Sequence, residues 1–73
     1  MTKKHFEAIA KRINARVIRA EETESNREKF VILVSLDMLI TEMIYDFEQF
    51  NPNFDRGTFR KATGIDEAMK VYI

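Results

Sequence analysis

The side chains that most often perform chemistry in proteins are scarce in this sequence. There is one histidine, His5, and no cysteine, so neither a histidine-activated nucleophile nor a zinc site has its usual ligands. Glu42 and Asp46 are four residues apart, and on one helix face their carboxylates could share a divalent cation. The Glu-x-x-His pattern of helical metal sites is missing, which favours a solvated acidic surface.

Phosphate-binding loops are also missing. The only glycines are Gly57 and Gly64, and their spacing fits no nucleotide-binding motif. We therefore predict that the protein is not an enzyme and has no catalytic, metal or cofactor site.

Length and composition predict one folded domain, residues 1–73, because a single core needs about 50 to 200 residues. Hydrophobic residues make up 45% and charged residues 33% of the chain, a globular balance. No stretch of about 18 uncharged apolar residues predicts a membrane-spanning helix. The first residues lack the apolar region of a signal peptide, and together with the absence of cysteine this predicts a cytoplasmic location.

Apolar residues recur with a helical period in two long segments, about 2–20 and 26–50. Ser25 and Glu28 form a capping-box pattern at the start of the second segment, and Pro52 follows its end. A third, short helix is predicted over 56–63, with Asp55 as its N-cap and Gly64 after its end. The predicted fold class is therefore all-α, a three-helix domain made of a long helical hairpin and a short C-terminal helix.

Two segments allow another interpretation. Residues 30–34 are continuously apolar and partly β-branched, as in a buried strand, but the helical pattern continues to Phe50 without a glycine or proline. Residues 66–73 could form a helical turn or an extended tail. In either form we expect contacts with the rest of the chain from four apolar residues: Met69, Val71, Tyr72 and Ile73.

The second long helix has two apolar surfaces when its residues are placed about 100° apart. The wider surface is the predicted core face, and it contains Ile32, Leu33, Leu36, Leu39, Ile40, Met43, Ile44, Phe47 and Phe50. The narrower surface has heptad-like spacing; we call it the Met38 stripe, and it consists of Val31, Val34, Met38, Thr41 and Tyr45.

The Met38 stripe is the predicted binding surface. Small domains without disulfides or metals often gain stability by oligomerising, so we predict a homodimer in which two copies of this helix pack antiparallel through the stripe. Two alternatives remain open: residues 69–73 fold back over the stripe in a monomer, or the stripe docks onto another protein.

Charge is unevenly distributed along a neutral chain. Residues 1–20 carry six basic residues and one acidic residue, whereas residues 21–49 carry two basic and eight acidic residues. The basic side chains of the first helix fall within one broad arc, which could contact a polyanion or an acidic partner; this basic arc consists of Lys4, Lys11, Arg12, Arg16 and Arg19. Nucleic-acid binding is thus an alternative function, disfavoured by the neutral total charge and the pI near 6.6.

Both ends of the chain resemble short proteins of tailed bacteriophages and prophages. The resemblance rests on KKHFEAIA at residues 3–10 and NPNFDRGTFRKATG at residues 51–64. Those proteins are uncharacterised, and many have a cysteine where this chain has Thr63. The resemblance implies a phage origin, a place in the host cytoplasm and a helical hairpin with a short third helix. Together with the stripe, it predicts a module that self-associates or captures a host protein.

Overall fold

The protein is described by a computed structural model over residues 2–72. Four α-helices follow one another: α1 (Lys3–Glu21), α2 (Asn26–Phe50), α3 (Arg56–Thr63) and α4 (Ile65–Met69). A 3₁₀ turn, Lys70–Tyr72, completes the described chain. No strand occurs within residues 2–72. The predicted all-α class and the three predicted helices are confirmed, and as far as Tyr72 the tail takes the helical one of its two predicted forms, as α4 and the 3₁₀ turn.

The capping box at the start of α1 has a histidine at its third helical position. Thr2 is the N-cap, and its backbone N–H donates to Nδ1 of His5 at 3.0 Å. The imidazole thus takes the place of the Glu or Gln side chain in a capping box. His5 therefore has a structural contact at the start of the helix.

The longest element is α2, which runs the length of the molecule. Its 25 residues span about 37 Å at 1.5 Å per residue, and the longest dimension of the protein is 38 Å. At the start of α2 the Ser25 hydroxyl accepts from the Glu28 N–H at 3.3 Å. The other helices pack against one side of this helix.

The start of α3 is fixed by Asp55. Its carboxylate accepts from the Thr58 N–H at 3.0 Å and from the Thr58 hydroxyl at 2.8 Å, which confirms the predicted N-cap. Both hydrogen bonds lower the pKa of Asp55 because they favour its charged form, and the bond from the backbone N–H has the larger effect. Phe54 and Phe59 form a hydrophobic staple across this helix start, with ring centroids 5.4 Å apart.

We expect Asp55 to make stability depend on pH. Because its pKa is lowered in the folded state, its contribution is complete above the ordinary value of 3.8 and is lost as the pH falls below it. Asp55→Asn retains a capping oxygen but does not titrate. Thermal unfolding measured between pH 6 and about pH 3 should therefore show a steeper acid decline for the natural protein than for the variant. Parallel curves would contradict the assignment.

Gly64 lets the chain turn from α3 into α4. It is the only residue with positive φ within 2–72, at 74°, a conformation that glycine adopts without strain. Asn14 of α1 closes over this turn and donates to the Thr63 carbonyl oxygen at 3.1 Å. The buried Thr63 hydroxyl donates to the Arg60 carbonyl oxygen at 2.6 Å and accepts from the Ile65 N–H at 3.3 Å.

The core is narrower than predicted on the α2 side. Of the nine residues in the predicted core face, only Leu33, Ile40 and Ile44 are fully buried. The predictions for Ile32, Leu39 and Phe50 are wrong, because these side chains are 40%, 51% and 83% exposed. The complete core comes from all four helices: Phe6, Ala10, Val17, Ala20, Leu33, Ile40, Ile44, Phe59, Ile65 and Ala68.

Candidate protein-interaction surface

Helix α2 carries most of the apolar surface that this protein exposes. Nine large hydrophobic side chains are exposed within residues 2–72, and seven of them belong to α2. Exposed apolar groups that cluster on one element are typical of a protein-binding surface, whereas scattered ones are ordinary. The candidate functional site is therefore the solvent side of α2.

The Met38 stripe lies on this exposed side, as the spacing predicted. Val31, Met38 and Tyr45 are 57%, 60% and 64% exposed, and they are seven residues apart. Val34 is half-buried between them. These side chains form a narrow apolar row along nearly four turns of helix, as a helical partner requires.

Thr41 interrupts the stripe with a polar network that the sequence did not reveal. Its hydroxyl donates to the Asp37 carbonyl oxygen at 2.9 Å and accepts from the Arg60 Nη1 at 3.5 Å. Arg60 also donates to the carboxylates of Asp37 and Asp66. This part of the stripe is thus held by α3 and does not present a free apolar side chain.

A second apolar row on α2 was missed because its members were assigned to the core. We call it the Leu39 stripe, and it contains Ile32, Leu39, Met43 and Phe50; Met43 is half-buried and the others are exposed. The spacings of seven, four and seven residues are again heptad-like. Its centre lies about 140° around the helix from the Met38 stripe, and the polar side chains between the two rows are Ser35, Glu42, Asp46 and Gln49.

Residues 69–72 leave the Met38 stripe open. Tyr72 packs on Phe30 with ring centroids 5.2 Å apart, Met69 packs against the core, and Val71 is 79% exposed. Ile73 lies outside the described residues. The alternative in which the tail covers the stripe is therefore wrong for residues 69–72.

The basic arc on α1 points into solvent. All five of its residues are exposed, and none forms an ion pair with another described residue. Arg56 and Arg60 of α3, which could have extended this arc, are instead paired with Glu48, Asp37 and Asp66. The positive charge available to a partner is thus concentrated on α1.

A shallow cavity of about 350 Å³ lies between the start of α1 and α3. Phe6, Phe54 and Phe59 line it, and their rings pack on one another with centroids 4.7 to 5.4 Å apart. The two segments on which the phage resemblance rests meet here. Within residues 2–72 no three metal-binding side chains are clustered, and Glu42 and Asp46 remain an acidic pair.

Comparisons with known proteins give no relative. No protein family, curated protein or solved structure matches this chain. As for membranes, no helix within residues 2–72 has the length and apolar character to cross one.

Proposed function

We propose that this protein is a non-catalytic protein-interaction module of a tailed bacteriophage or prophage, which works in the host cytoplasm. It self-associates, captures a protein of the host, or does both, through the exposed apolar side of α2. The observation that carries the proposal is the concentration on this one helix of seven of the nine large hydrophobic side chains that are exposed within residues 2–72.

The energetics support a binding role. An exposed hydrophobic side chain contributes little to folding, but it gains about 25 cal/mol per Å² of apolar surface when a partner covers it. Val31, Met38 and Tyr45 are each more than half exposed. A helix of 25 residues offers a surface long enough for a partner helix to bind in several successive turns.

The test places one charge on each apolar row. We expect the double variant Met38→Glu, Leu39→Glu to lose self-association in sedimentation equilibrium and to lose any host protein that the natural chain captures. Its helical content by circular dichroism should be unchanged, since both side chains are already exposed. If association and capture persist in the double variant, α2 is not the binding surface.

The alternative function is nucleic-acid binding by the basic arc of α1. Its five residues are exposed and form no ion pair with another residue of 2–72, which favours this function. Binding of this kind weakens steeply with salt, because phosphate contacts release counterions. Titration of a labelled duplex at several salt concentrations tests it, with Arg12→Gln, Arg16→Gln as the variant. Equal affinity of the natural and variant proteins would exclude this arc as the contact.

A further inference from the structure

Different helices border the two apolar rows of α2. On one side of the buried line Leu33, Ile40 and Ile44, the side chains of Asp37 and Glu48 pair with arginines of α3. On the other side, Phe47 packs on Phe6 of α1 with ring centroids 5.0 Å apart and reaches Phe59 of α3 at 5.5 Å, and no ion pair within residues 2–72 joins this side to α3. By helical rotation of about 100° per residue, the Met38 stripe therefore borders α3, and the Leu39 stripe borders α1.

The edge of α1 beside the Leu39 stripe is basic. Asn14 donates to Thr63 at the end of α3, so the side of α1 that carries Asn14 faces α3. The opposite side carries Ile9, which is half-buried, and then Arg16 and Arg12, both exposed. An apolar row with two arginines along one edge is complementary to a helix that has an apolar row with carboxylates along one edge.

Helix α2 is itself such a helix. Glu42 and Asp46 lie beside the Leu39 stripe, on the edge that faces away from α1. Both are exposed, and neither forms an ion pair within residues 2–72. The chain thus presents an apolar seam with arginines on one edge and carboxylates on the other, which is self-complementary under a twofold axis.

We propose that the Leu39 stripe is the seam of a homodimer in which two α2 helices lie parallel across a twofold axis, so that the Met38 stripe stays available to a different protein. This inference rests on the proposed function, because it assigns self-association to one of the two rows. It differs from the antiparallel dimer through the Met38 stripe that the sequence predicted.

The positions of the α1 helices and their charges favour the parallel orientation. An antiparallel twofold places both α1 helices on the same side of the α2 pair, where Arg12 and Arg16 meet their own counterparts. A parallel twofold places α1 of each copy against α2 of the other. Since Phe6 is level with Phe47 and the helices run oppositely, Arg12 is level with residue 41, beside the partner's Glu42.

Two neighbouring residues provide the first test. Met38 and Leu39 are 60% and 51% exposed but belong to different rows. In sedimentation equilibrium we expect Leu39→Glu to raise the dimer dissociation constant by at least about 100-fold, and Met38→Glu to leave it within about threefold. Circular dichroism serves as the control, and both variants should be as helical as the natural protein.

The possible results separate the inference from the proposed function. If Met38→Glu separates the dimer and Leu39→Glu does not, the seam assignment is overturned while α2 remains the binding surface. If neither single variant separates it, the seam assignment is overturned, and the proposed function is contradicted as well only if the double variant Met38→Glu, Leu39→Glu retains both association and capture. A natural protein that is monomeric at every concentration overturns the seam alone, since capture of another protein would still be available to α2.

The orientation is tested by single cysteines in a chain that has none. In the parallel dimer Ile32 lies opposite the partner's Ile32, so Ile32→Cys should oxidise to a covalent dimer. Val31→Cys, on the other row, is the matched control and should stay monomeric in denaturing electrophoresis. An antiparallel seam would place residue 32 near residue 50 of the other copy, and the absence of a covalent Ile32→Cys dimer would overturn the parallel arrangement.

A charge exchange tests the contact between α1 and α2. Arg12→Glu should weaken the dimer at least about fivefold, and the double variant Arg12→Glu, Glu42→Arg should regain most of the lost affinity. A double variant that is as weak as or weaker than Arg12→Glu alone would exclude this pair.

Discussion

Replacing Ile40 with alanine is expected to lower the free energy of unfolding by about 2 to 5 kcal/mol. Ile40 is fully buried in the middle of α2 and belongs to the core to which all four helices contribute. Removing three of its carbons leaves a cavity that the surrounding core cannot fill, so the loss includes the cavity as well as the transfer free energy. Urea unfolding followed by circular dichroism measures the difference.

The neighbouring residue is the control. Leu39 is 51% exposed, so Leu39→Ala should cost less than about 1 kcal/mol. This comparison is made at a protein concentration at which the chain is monomeric, because a dimer seam at Leu39 would add its own stability. Equal losses at positions 39 and 40 would mean that the narrow core described for α2 is wrong.

Gly64→Ala is expected to lower the free energy of unfolding by about 1 to 3 kcal/mol. The φ of Gly64 is 74°, which strains any residue with a Cβ atom, and an added Cβ would lie 2.8 Å from the Nδ2 atom of Asn14. Asn14 would then have to move and weaken its hydrogen bond to the Thr63 carbonyl oxygen. Chemical unfolding measures the loss.

Gly57→Ala is the control, because it is not expected to lower the free energy of unfolding. Gly57 is helical within α3, and an added Cβ would meet only the Asp55 Oδ1 atom, at an ordinary 3.4 Å. Alanine costs less conformational entropy than glycine in a helix, so stability should stay equal or rise by up to about 1 kcal/mol. If both alanine variants behaved alike, the special conformation of Gly64 would not matter to folding.

The ends of the helices were predictable from the sequence because local interactions determine them. Ser25 and Asp55 accept hydrogen bonds from backbone N–H groups three residues later, at the starts of their helices. Gly64 ends α3 by its own positive φ. Those interactions do not depend on how the helices pack. For the segment of α4 the sequence left a helical turn and an extended tail both open, because five residues give too short a pattern for the helical period to decide.

The width of the core was not predictable for a different reason. Periodicity shows which side chains of α2 are apolar, but only the packed helices decide how many of them are covered. Helix α1 packs on Phe47, but Leu39 and Phe50 lie further around α2 from the buried line and remain outside the core. The exposure of Met38 was predictable because it lies far from the buried line of α2.

The unbroken length of α2 also sets how the protein would hold its partners. Between residues 26 and 50 there is no glycine or proline, so the helix has no hinge at which it could bend easily. Its two apolar rows share this single rod, about 140° apart around its axis. Two molecules bound to them would be kept at a fixed mutual angle, as in a rigid adaptor, and tilting one would tilt the other.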